Sequence, residues 1–187
     1  FQVFVVEDND WYNQLLVHTL SLNPDYQVQS FQKGEDFLNK LDQGPDVVTL
    51  DYRLPDMTGI DVLRKIKNIN PDIQVIMISE QADINVVVDL LKEGAYDYIV
   101  KSNDIRERLL NTVQNIRNKL GLKKEISELK KEVQKKYMET YNTTLYKSYN
   151  AVMHGYILIT KEMLEDMDNV VMLLNESYDY VMSLEPK

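Results

Sequence analysis

With 187 residues, 44% of them hydrophobic and 27% charged, the chain has enough apolar material for one domain-sized core and an appendage. A formal net charge of -9 argues against a general nucleic-acid binder, which needs cations to displace phosphate counterions. The absence of cysteine excludes disulfides, thiolate metal sites and cysteine nucleophiles, and no apolar run reaches membrane-spanning length. The chain opens on strand-like residues with neither a methionine nor a signal peptide, so a lost start and a cytoplasmic location are expected.

In chain order, Phe1–Val6 is an apolar run that reads as a buried strand and stops at Glu7-Asp8-Asn9-Asp10. Trp11, Leu15, Leu16 and Leu20 then fall at helical spacing, with Asp10 as the expected N-cap and Pro24 as the stop. Tyr26–Phe31 alternates as a half-buried strand, and Lys33–Leu41 is a short helix before Gly44-Pro45. Val47–Leu50 is β-branched and apolar and ends on Asp51; a turn-forming Leu54-Pro55-Asp56 and a helix over Gly59–Asn68 follow. Ile73–Ile78 is a fourth buried strand ending at Ser79, followed by a helix over Ala82–Glu93 that Gly94 stops. Ala95–Val100 is a fifth strand ending at Lys101, and Asp104–Leu120 a fifth helix. Five strands alternating with five helices predict an α/β fold, a doubly wound five-stranded parallel sheet covered on both faces.

In a parallel sheet the carboxyl ends of all strands share one edge. Glu7 and Asp8, Asp51, Ser79 and Lys101 each stand at such an end, so the fold predicts that they converge. Strand ends are often simply polar, and Asp51 alone would equally suit the start of a turn. An acid pair, an acid, a hydroxyl and a lysine together are poorly explained that way. Crowded carboxylates repel unless a cation joins them, and all-oxygen ligation suits Mg²⁺. Beside such a cation Asp51 can act as a nucleophile toward a phosphoryl group, Lys101 can meet a phosphate oxygen, and Ser79 can donate to another.

That set resembles the receiver domain of bacterial two-component response regulators: Glu7-Asp8, Asp51 followed by Leu54-Pro55 and Gly59, Ser79, and Tyr98 three residues before Lys101. The resemblance covers residues 1–120 and implies a flavodoxin-like fold. It implies that Asp51 is the phosphoacceptor for a sensor histidine kinase. It further implies that Asp8, Asp51 and the backbone carbonyl of Arg53 bind Mg²⁺ directly, with Glu7 acting through water. Ser79 and Tyr98 would be the switch pair, the hydroxyl moving toward the phosphoryl group as the ring turns inward. The chain departs from the family in carrying Glu80 where a small residue is usual and Ser102 where proline is common. Glu80 and Arg53, two beyond Asp51, are therefore candidate modulators of phosphorylation lifetime. No activity beyond self-catalysed phosphoryl transfer and hydrolysis is expected.

Beyond residue 120, Leu122, Ile126, Leu129 and Val133 recur at 4-3-4 spacing among mixed charges. This reads as a coiled-coil linker over 121–137 that continues the fifth helix and pairs two copies, with lysines interleaved by glutamates flanking the seam. With that linker, residues 1–137 are most similar to the nitrogen-regulator class of enhancer-binding transcription factors, which implies the regulatory part of a transcription regulator. Residues 138–187 are acidic and rich in methionine and tyrosine. One helical stripe runs through Tyr141, Leu145, Tyr149, Val152, Tyr156 and on to Val181, predicting an all-α extension as a long helix or helical hairpin. The abrupt change at Met138 leaves open a fused segment. Two other functions stay in view: an adaptor whose acidic helices bind a protein partner, and a phosphorelay through a helix-borne His154, although no phosphotransfer motif flanks that residue.

Overall fold

Apolar runs in this chain become strands because helices cover both their faces. The structure is a computed structural model and describes residues 1–80, 83–140, 144–148, 151–157, 165, 168, 170–172 and 175. It divides into two compact units, Phe1–Gly121 and Leu122–Lys187. In the first, β1 (Gln2–Val6), α1 (Asp10–Ser21), β2 (Gln27–Phe31), α2 (Gly34–Leu38), β3 (Val47–Asp51), α3 (Gly59–Ile69), β4 (Gln74–Ser79), α4 (Ile84–Lys92) and β5 (Asp97–Val100) lead into α5 (Ile105–Thr140). All neighbouring strands run parallel, in the order β2-β1-β3-β4-β5. The doubly wound α/β sheet expected from the sequence is the one observed.

Successive side chains of a strand point to opposite faces, so each central strand feeds two cores. Phe4 and Val6 of β1, with Leu50 and Met77, pack with Phe37, Leu63, Ile66 and Leu90 of α2, α3 and α4. Val3 and Val5, with Ile76, Ile78 and Ile99, pack with Leu15, Leu16 and Leu20 of α1 and with Leu109, Val113 and Ile116 of α5. Fully burying one such leucine or isoleucine contributes about 1.5–3 kcal/mol. β2 lies at the sheet edge and is mostly exposed, in keeping with its alternating sequence.

Most element ends fall within two residues of the sequence expectation, and the departures at α1 and α2 have identifiable causes. The cap of α1 is Asn9, not Asp10: its side-chain oxygen accepts from the backbone N–H of Trp11 and Tyr12, both at 3.1 Å. α2 ends at Leu38, and Leu41–Gln43 forms a separate 3₁₀ turn closed by Gly44 at φ +67°, a left-handed backbone that favours glycine. α2 is capped from a distance, because the Asp56 carboxylate accepts from Gly34 N at 3.0 Å and Glu35 N at 2.8 Å.

For Asp56, slight burial raises the pKa, but the Glu35 and Gly34 N–H groups outweigh it and hold the carboxyl below its ordinary value of 3.8. A depressed folded-state pKa gives stability that is present above the unfolded pKa and lost as pH falls through the folded one. Asp56→Ala is therefore expected to cost about 1 kcal/mol at neutral pH. The gap from wild type should narrow in acid, as paired thermal melts at neutral and acidic pH would read; a gap constant with pH would refute the cap.

In the second unit the helical backbone continues through Thr140 without a break at residue 121, as the seam predicts. Leu122, Ile126, Leu129 and Val133 are each more than half exposed. The extension beyond it is not all-α. β6 (Leu145–Ser148) and β7 (Ala151–Ile157) pair antiparallel, Ser148 with Ala151 and Lys147 with Val152. Tyr146, Val152, Tyr156 and Ile157 are aromatic or β-branched types that favour extended backbone, and here strand propensity prevails over the helical stripe. Helical backbone returns at Glu165, Asp168, Val170–Met172 and Asn175. The remaining stripe positions, among them Tyr141, Tyr149, Tyr178 and Val181, lie outside the described residues. His154 lies on β7, which corrects the expectation of a helix-borne histidine.

Candidate functional site

Register decides where the polar strand tips meet. Val6 pairs with Leu50, Asp51 with Ile78 and Ser79 with Val100. The backbone ladder continues one step past several strands, through Glu7 N to Phe31 O at 3.0 Å, Tyr52 N to Ile78 O at 3.0 Å and Lys101 N to Ser79 O at 2.8 Å. These bonds fix the main chain beneath the polar side chains. Glu7, Asp8, Asp51, Arg53, Ser79, Glu80 and Lys101 consequently line one cleft of about 590 Å³, together with Asn9, Asp10 and Trp11.

At the floor of the cleft Lys101 Nζ lies 2.8 Å from both carboxylate oxygens of Glu7 and 3.3 Å from Asp51 Oδ1. The Lys101 side chain is 4% exposed and that of Glu7 1%, so these are desolvated charges held by one another. Burial pushes Glu7 up from 4.5 to about 7, against the pull of the Lys101 hydrogen bond. Burial likewise raises Asp51, opposed by Lys101 and reinforced by the Asp8 charge. For Lys101, burial acts downward, but its hydrogen bond and charge pairing with Glu7, with Asp51 in support, leave the ammonium above its ordinary value.

One carboxylate oxygen from each of Glu7, Asp8 and Asp51 lies within 4.8 Å of the others, and Asp8 is solvent-exposed. The donor set is all oxygen, carries three acidic groups against one ammonium and opens to the cleft. It fits a hard divalent cation such as Mg²⁺, which favours a few carboxylates and retained water. Among the described residues no other group of three acidic or histidine side chains shares this arrangement.

Ser79 is buried at the end of β4, whereas Arg53 and Glu80 are exposed at the cleft mouth. Tyr98 is not in the cleft. It is buried in the core layer shared with Met77 and Leu90. Sequence reasoning missed Asn13, whose buried amide donates to the Glu7 carbonyl at 3.0 Å, and Tyr12, whose ring lies over Lys101. The only available signal was their position in the first turn of the helix after the acid pair.

Gly59 closes the loop behind Asp51. Its N–H donates to Tyr52 O at 2.8 Å, and an added Cβ would sit 2.9 Å from Tyr52 Cα and closer still to the Asp51 carbonyl oxygen. These neighbours are backbone and cannot yield cheaply. Gly59→Ala is expected to destabilise the protein by about 1–3 kcal/mol. A denaturant midpoint equal to wild type would show that the loop relaxes.

Residues 3–114 match the family described as the response regulator receiver domain. The chain belongs to that family. Among its relatives, this receiver is 39% identical over 111 residues to the transcriptional regulatory protein CssR of Bacillus subtilis, covering 59% of this chain and 48% of CssR. It is 32% identical over 108 residues to the DNA-binding transcriptional regulator NtrC of Proteus hauseri, covering 57% of this chain and 23% of NtrC. The solved structure of NtrX from Brucella abortus matches with a TM-score of 0.62 at 28% identity, over 70% of this chain and 30% of that one. The receiver thus spans about half the length of CssR and under a third of NtrC-type relatives. Among the described residues no helix is long and apolar enough to cross a membrane.

Proposed function

We propose that Asp51 accepts a phosphoryl group from the phosphohistidine of a sensor kinase, breaking a phosphorus–nitrogen bond and forming a phosphorus–oxygen bond. The observation that carries this reading is the buried Lys101 ammonium held between Glu7 and Asp51, next to three clustered carboxylates at an open cleft. Glu7, Asp8 and Asp51, with the backbone carbonyl of Arg53, would hold Mg²⁺. When bound, that ion supplies neutralising charge for the incoming phosphate oxygens. Lys101 meets one phosphoryl oxygen as a point charge, and the Ser79 hydroxyl donates to another. Arg53 and Glu80, of opposite sign at the mouth, set how readily water reaches the product.

The new charge acts as a bias between two packings of Ser79, Tyr98 and α4, and reversing a 1:99 population takes roughly 5.5 kcal/mol. Buried Tyr98 occupies the inward position in this reading. The output is a change in pairing between two copies through the α5 extension, with residues 1–120 as receiver and 121–137 as linker. The printed descriptions of CssR and NtrC as transcriptional regulators support placing the chain in the regulatory part of such a protein, hence in the cytoplasm. The test is intact-mass measurement after acetyl phosphate and Mg²⁺. One phosphoryl adduct, lost when EDTA is present, is expected; no adduct, or one indifferent to EDTA, overturns the reading.

A further inference from the structure

We infer that Tyr12 is a positioning residue for Lys101, its ring face bracing the ammonium between Glu7 and Asp51. This inference rests on the reading of Lys101 as the group that meets a phosphoryl oxygen. Lys101 Nζ lies 4.6 Å from the Tyr12 ring centroid, within cation–π range, while its other sides face Glu7 at 2.8 Å and Asp51 at 3.3 Å. With only 4% of the side chain exposed, little water competes for the ammonium, and the ring's negative face acts at low dielectric. A π face attracts the cation without taking a directional hydrogen bond. All three N–H groups therefore remain for carboxylate oxygens, and for an anion that arrives beside Asp51.

The ring is itself held in place. Asn9 caps the helix by accepting from the Trp11 and Tyr12 N–H groups, and the Trp11 ring packs edge-on against Tyr12 with centroids 4.9 Å apart at 86°. The next residue, Asn13, donates to the Glu7 carbonyl at 3.0 Å. One helical turn therefore fixes both the backbone of Glu7 and the head of the lysine that Glu7 binds. The competing account is that Tyr12 merely fills the layer under α1, against which it packs half-buried. On that account leucine would serve as well as tyrosine; on the present one phenylalanine would and leucine would not.

The full chain and its Tyr12→Phe and Tyr12→Leu variants separate the two. Ring current should shift the Lys101 side-chain protons upfield in wild type and Tyr12→Phe, and leave them at ordinary positions in Tyr12→Leu. With saturating Mg²⁺, the beryllofluoride concentration for half-saturation should stay within about twofold in Tyr12→Phe and rise about tenfold in Tyr12→Leu. Unshifted Lys101 protons in wild type overturn the proposal, as does a Tyr12→Leu protein that binds like wild type or a Tyr12→Phe protein as weak as Tyr12→Leu. If wild type binds no beryllofluoride, the phosphoacceptor reading fails, and the ring-current shift alone decides whether the brace exists. If Tyr12→Leu does not fold, wild type and Tyr12→Phe still decide, through the shift and its retention.

Discussion

Asp51→Asn is expected to take up no phosphoryl group from acetyl phosphate and Mg²⁺, under conditions where wild type takes up one. Asparagine matches aspartate in size and keeps an oxygen toward Lys101, but its amide is no nucleophile. The substitution is expected to be mild for the fold, because Lys101 keeps its contacts to both Glu7 oxygens at 2.8 Å and burial already disfavours the Asp51 charge. Lost labelling would then report lost chemistry, checked by an unchanged or higher melting temperature. Label persisting on the Asp51→Asn protein would place the acceptor elsewhere, with Asp8 the nearest exposed carboxylate.

The second large effect concerns pairing. Ile126 and Leu129 sit at the middle of the seam on the α5 extension and are about half exposed. Burying each against a second copy contributes about 1.5–3 kcal/mol, and every 1.4 kcal/mol is roughly a factor of ten in affinity. Replacing both by aspartate is expected to weaken the proposed pairing of two copies by at least about 100-fold. Sedimentation or light scattering with and without beryllofluoride would measure this. A wild-type chain monomeric in both states would remove the seam from the account; a double variant that remains dimeric would move the interface to another surface.

The parts of this molecule that were legible in its sequence share a cause. β1, β3 and β4 are buried on both faces, so their runs are mostly apolar, broken only by Thr49 inside β3, and Glu7, Asp51 and Ser79 mark where each apolar run ends. Glu7, Asp51, Ser79 and Lys101 could be placed on one edge before any coordinates. Tyr12 and Asn13 were not legible, because their contacts depend on how α1 rolls against β1 and β5, which helical spacing does not encode. Asn9 and Asp10 are both good caps, and only backbone geometry chooses between them. The β6–β7 pair was misread because Val152 and Tyr156 fit a helical stripe while also being residue types favoured in strands.

α4 holds to the sheet by little. Leu90 is its one buried residue, Val86 and Val87 pack only partly, and Ile84, Val88 and Leu91 face outward. At its far end Arg64 Nη2 reaches Glu93 Oε1 at 2.7 Å, an exposed tether that dissolved electrolyte weakens. Sub-global opening selects segments with the fewest interior anchors, so the amides of α4 should exchange with deuterium ahead of those in α1 and α3, and sooner still in concentrated salt.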